Sequence, residues 1–79
     1  MNTKPIPDHH QKRLNLLGTY IRELRLNENM TQIEVGAESE IHFSTVKRVE
    51  GKMNFTITTL FELADFYGLQ PSELLSILD

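Results

Sequence analysis

Between Thr31 and Lys52 the chain reads TQIEVGAESEIHFSTVKRVEGK, two bursts of helical spacing separated by a gap at Glu40, Ile41 and His42. Helices this short are marginal on their own, so each must bury an apolar side against other elements. The first burst opens at Thr31, whose hydroxyl can accept a hydrogen bond from one of the first unpaired amides, and runs from about Gln32 to Ser39. Val35 and Ala37 supply its apolar bulk, and Gly36 leaves room for another helix to approach closely. In the second burst, FSTVKRVE, Val46 and Val49 stand three apart as one inward stripe, which turns Phe43, Ser44, Lys47 and Arg48 elsewhere.

The rest of the chain also reads as helix, and nothing in it reads as a strand. Pro5 and Pro7 keep the first residues extended, so residues 1–8 are expected to form a mobile arm and residues 9–79 a single domain. Asp8 or a neighbour is placed to cap a helix over about residues 9–28. Leu14, Leu17, Ile21 and Leu24 share its inner face, and Lys12, Arg13, Arg22 and Glu23 occupy the others. GKMNFT is a loop by composition. Thr56 or Thr58 then caps a helix to about Tyr67, with Ile57, Leu60, Leu63, Ala64 and Tyr67 turned inward, and Gly68 stops it. Pro71 opens a last helix, with Glu73 near its positive end. Leu74, Leu75, Ile77 and Leu78 make that helix unusually apolar, so it either packs fully into the domain or keeps an apolar face for a partner chain. The fold class expected is all-α, with five helices. The second and third, over about residues 31–50, have the layout of a helix-turn-helix, whose second helix can lie in the major groove of DNA.

Composition narrows the function. A chain of 79 residues holds one small core and leaves little room for an elaborate active site. With no cysteine and three badly spaced histidines, neither a metal site nor any other cofactor is expected. The pair His9 and His10 reads as exposed arm, and His42 as a helix cap or a surface residue. No carboxylate pair, nucleophile–base set or phosphate-cradling glycine loop points to an enzyme. The sequence has no run of about 18 apolar residues and no signal-like start, so a soluble cytoplasmic protein with no membrane partner is expected. Its net charge of −3 argues mildly against a nucleic-acid partner. The distribution argues the other way, because residues 1–56 carry all eight Lys and Arg, whereas residues 57–79 carry four acids and no base. One face can therefore meet phosphates while another repels them.

Taken in order, LGTYIRELR, MTQIEV, IHFSTVKRVEGK, NFTITTLFELADFYGL and PSELL resemble the phage-repressor and Cro type of helix-turn-helix, the xenobiotic-response-element family, over about residues 16–75. The resemblance implies a compact five-helix bundle that binds double-stranded operator DNA as a homodimer. Its function would be that of a sequence-specific transcriptional regulator, a repressor, which inserts the helix near residues 43–50 into the major groove. Gln32 corresponds to the family's glutamine that hydrogen-bonds a backbone phosphate, and Thr31 caps that helix and approaches phosphate too. Phe43, Ser44, Lys47 and Arg48 occupy the exposed face of the recognition helix. Arg48 suits guanine O6 and N7, Ser44 is a second base reader, and Phe43 can meet a thymine methyl. Lys47 and Lys52 suit phosphates. Without the resemblance, all three basic side chains would read as solvated surface. Arg25 and Glu50 match positions where the family makes a structural salt bridge. Four departures stand out. Glu40 replaces a usual turn glycine, where a positive φ would strain it by ~1 kcal/mol. Gly36 stands for alanine, Ile33 for a polar residue, and the loop after Glu50 is one residue shorter. Two other readings stay open. One is a module that binds protein, for instance through the apolar last helix. The other, within the DNA-binding class, is an antitoxin that represses its own operon or a restriction-modification controller.

Overall fold

A computed structural model describes residues 5–78, so the first four residues of the expected arm lie outside it. The elements are α1 (Asp8–Asn27), α2 (Gln32–Glu38), α3 (Phe43–Glu50), α4 (Ile57–Tyr67) and α5 (Pro71–Leu75), followed by a 3-10 turn at Ser76–Leu78. Among the described residues no strand forms. Ile21 of α1, Val35 of α2, Val46 and Val49 of α3, Leu60, Leu63 and Ala64 of α4 and Leu74 of α5 meet in one core, joined by Ile41 from the α2–α3 turn. Ile21 and Leu24 of α1, Val35 of α2 and Val46 and Val49 of α3 pack as expected, whereas Leu14 does not join this core and Ala37 is exposed. Of the apolar residues expected in the last helix, Leu74 is fully buried in the core and Leu75 is exposed.

Two expectations need correction. Ile57 does not face the core; it is 60% exposed. It sits at the first position of α4, where a side chain leans back toward the helix N-terminus and overshoots the core edge. Phe55 of the preceding loop packs against the core instead. Asp8 is not a cap either: it lies within the first turn of α1, Pro7 is the N-cap residue, and no side chain closes that end.

The helix ends follow from local chemistry. Thr31 and Glu34 form a reciprocal capping box, the Glu34 amide donating to Thr31 Oγ1 at 3.1 Å and the Thr31 amide donating to Glu34 Oε1 at 2.9 Å. Thr56 caps α4 by accepting from the Thr59 amide at 3.3 Å. Three helices stop in the same way. Asn29 (φ 56), Lys52 (φ 66) and Gly68 (φ 70) each take the left-handed conformation just past a helix. In each case the next residue's amide reaches back to a carbonyl five residues earlier, from Met30 to Arg25, from Met53 to Arg48 and from Leu69 to Ala64. Glu40 needs no positive φ, so the strain anticipated there is absent. The α2–α3 turn is closed by Ser39, whose Oγ accepts from the Ile41 amide at 3.0 Å.

Tyr67 packs against this core with a hydroxyl that finds no hydrogen-bond partner among the described residues. Burial, and then the nearby Glu50 carboxylate, push its phenol from 10.0 up to about 12. A phenol whose folded pKa is raised favours the native state below the unfolded value, and that contribution is lost as pH climbs toward the folded one. The Tyr67→Phe variant is expected to be about 1 kcal/mol more stable than the parent at neutral pH, since it removes an unsatisfied buried group. Its advantage should widen between pH 10 and about 12 in urea titrations. Equal stability of the two proteins across that window would contradict this account.

Candidate nucleic-acid interface

The geometry of α3 is set from three sides. On its inner side Val46 and Val49 anchor it in the core. At its start, Gly36 of α2 lies so close that a Cβ there would come within 3.0 Å of Phe43 Cα. At its end, Gly18 of α1 lies under the last turn, where a Cβ would come within 2.7 Å of the Val49 carbonyl oxygen. The approach at Gly18 needs a residue without a side chain, whereas at Gly36 a methyl would fit only if α3 gave way by a few tenths of an ångström. The loop that follows is tied to α1 as well, because Gln11 Nε2 donates to the Lys52 carbonyl at 2.9 Å.

A buried ion pair braces the same end. Arg25 Nε donates to Glu50 Oε2 and Arg25 Nη2 to Glu50 Oε1, each at 2.8 Å, while Nη1 donates to the Met30 carbonyl at 2.8 Å. The two side chains are 10% and 3% exposed. Hydrogen bonding to Glu50 raises the Arg25 pKa above its ordinary value, against the opposing effect of burial. Gln32 Nε2 joins this cluster by donating to Glu50 Oε1 at 3.2 Å, which orients its amide at the start of α2. An amide nitrogen carries two hydrogens, so one donor of Gln32 stays available.

The outer side of α3 carries Phe43, Ser44, Lys47 and Arg48, all exposed. They do not act as one cluster. Lys47 Nζ lies 6.0 Å from the centroid of the Phe43 ring, at the outer limit of a cation–π contact. Lys47 also lines a cleft of about 350 Å³ with Thr19 and Arg22 of α1, Gln32 of α2, Glu50, and Lys52 of the following loop. Arg48 looks to the other flank, where it borders a groove of about 640 Å³ with Thr45, Asn54, Phe55, Thr56 and Thr59. Among the described residues Arg22, Lys47 and Arg48 make no ion pair. The one carboxylate in the first cleft, Glu50, is already occupied by Arg25. Ser44 turns toward the helix start, with its Oγ 2.8 Å from Nδ1 of His42, the N-cap residue of α3.

Sequence reasoning missed Arg22 and Thr19. Helical spacing showed only that Arg22 points away from the core; its place beside Lys47 depends on how α1 crosses α3. Four of the acids, Glu38, Glu40, Glu62 and Asp65, share a groove of about 250 Å³ between the end of α2 and α4. No helix of the described residues is long and apolar enough to cross a membrane.

Comparison with known proteins adds one match. A family model described as helix-turn-helix fits residues 21–74, which run from the middle of α1 to α5 and include both short helices and their turn. No curated protein matches the chain.

Proposed function

The chain belongs to the Cro and phage-repressor type of helix-turn-helix family, a DNA-binding family generally without enzymatic activity, and from that premise we propose that it is a sequence-specific transcriptional regulator, a repressor that binds its operator as a homodimer. The observation that carries this reading is the outer face of α3. A row of exposed side chains stands on a helix held rigidly from three sides, flanked by a cleft that gathers Arg22, Lys47 and Lys52. In this reading α3 enters the major groove and Arg48 reads guanine through O6 and N7. Ser44 faces a second base and Phe43 a thymine methyl. Lys47, Lys52 and the free amide hydrogen of Gln32 meet phosphates, with the Thr31 hydroxyl beside them, and Arg22 joins that set. The acidic total charge is no obstacle, because four of the carboxylates share a separate groove and the one in the cationic cleft, Glu50, is already paired with Arg25.

The dimer reading is supported by α4. Ile57 and Phe61, one helical turn apart, are 60% and 47% exposed, an apolar strip suited to a second copy of the chain.

Selection from a random duplex library at roughly 0.15 M salt tests the proposal. The expected result is a motif with two half-sites related by a two-fold axis. Arg48→Ala should lose about 10- to 100-fold in affinity and relax one base position per half-site. Arg22→Ala should weaken binding to all sequences alike and lower the salt dependence by about one phosphate contact. If folded protein enriches no motif, the DNA-reading proposal fails, and the apolar α4 strip would then favour a protein-binding module.

A further inference from the structure

The hydrogen bonds at the start of α3 determine more than its capping. His42 Nδ1 accepts from the Ser44 backbone amide at 3.1 Å. An amide N–H can only donate, so this nitrogen carries no proton and the ring is the neutral tautomer protonated at Nε2. The Ser44 hydroxyl oxygen lies 2.8 Å from the same nitrogen. With Nδ1 an acceptor, the hydroxyl can make this contact only as the donor, its hydrogen sharing the one ring lone pair with the Ser44 amide. Its single hydrogen is therefore committed to His42, and only lone pairs face outward.

We infer that His42 fixes the polarity of Ser44, so that Ser44 reads DNA only as a hydrogen-bond acceptor and selects a base that offers an amino hydrogen, adenine N6 or cytosine N4, on the strand it faces. This inference rests on the reading that α3 lies in the major groove, and it goes further by assigning the direction of one contact. A free serine hydroxyl can rotate to suit either a donor or an acceptor, and so discriminates weakly. Held by its neighbour, it meets the O4 of thymine or the O6 of guanine with a lone pair against a lone pair. His42 is a positioning residue here: it acts on the base through Ser44.

The test uses the same library selection, run at pH 8. The wild type is expected to show one position that prefers adenine or cytosine over guanine or thymine by about tenfold. Ser44→Ala should flatten that position and leave the one read by Arg48 intact. His42→Ala should let thymine and guanine in to within about twofold, because the released hydroxyl can then donate. His42→Asn supplies a carbonyl oxygen that caps the same amide and accepts the same hydroxyl, so it should restore the wild-type preference. A merely structural cap would lower affinity in His42→Ala without changing which base is chosen. The inference is overturned if a motif appears but no position depends on Ser44, if that position prefers thymine or guanine, or if His42→Ala keeps the wild-type choice. If no motif appears at all, the major-groove reading fails first and takes this one with it.

Discussion

Glu50→Ala is expected to remove about 3–5 kcal/mol of stability, most of what a domain this small possesses. The magnitude comes from what the substitution leaves behind. Arg25 is held with its side chain 10% exposed, and its guanidinium is paired through two nitrogens to the Glu50 carboxylate. Deleting the carboxylate strands a desolvated cation whose remaining partner is the Met30 carbonyl. It also frees Gln32, which bonds the same carboxylate. A double replacement, Arg25→Met with Glu50→Leu, should recover most of the loss, because no charge then remains to be desolvated. Urea unfolding gives the comparison, with the midpoint shifting and the slope unchanged. If the double variant is as unstable as the single one, the cost lies in packing rather than in an uncompensated charge. DNA binding by a folded double variant should still be weaker than wild type, since Gln32 has lost the contact that orients it.

Gly18→Ala should destabilise the domain by about 1–2 kcal/mol, although alanine is the better helix former. Propensity alone would predict a gain of about 1 kcal/mol in the middle of α1. Against that, the new Cβ would lie 2.7 Å from the Val49 carbonyl oxygen and 3.2 Å from Lys52 Cγ. The lysine carbon can swing aside. The carbonyl belongs to the last turn of α3 and is fixed there by the Lys52 amide, which donates to it at 3.1 Å. Helix α1 or the end of α3 must therefore move. The second readout is affinity for the selected duplex, which should fall by more than the lost stability explains, because the displaced helix carries Lys47 and Arg48. A stable Gly18→Ala variant with unchanged affinity would show that the two helices can separate without consequence.

Local features were legible in the sequence; features that depend on how helices cross were not. Val46 and Val49, three apart, were enough to turn Phe43, Ser44, Lys47 and Arg48 outward, since one helix period determines both faces. Thr31 and Gly68 were readable because caps are local. By contrast, Gly18 sits in a run with no glycine signal around it, and only the crossing of α3 makes it indispensable. Arg22 looked like any outward charge until α1 and α3 were brought together. Ile57 matched the inward spacing of α4 but lies where the helix outruns the core, which periodicity does not encode. Arg25 and Glu50 stand 25 residues apart, so their pairing came only from the family resemblance. The direction of the Ser44 hydroxyl depends on a histidine tautomer, and no residue pattern carries that.

The groove of Glu38, Glu40, Glu62 and Asp65 concentrates four negative charges away from the residues of the cationic cleft, a separation that the net charge conceals. A molecule with cations on one surface and carboxylates on another experiences a torque in the field of a polyanion, in addition to any pull. Diffusional encounters that begin with the acidic side leading are rotated or rejected, and those that begin with the cationic cleft leading are retained. Such orientation acts before any base is touched, and it shortens the search for a productive collision without strengthening the final complex. It also fades as the Debye length contracts toward about 8 Å at physiological ionic strength, so the chain's arrival at DNA is more sensitive to salt than its modest net charge suggests.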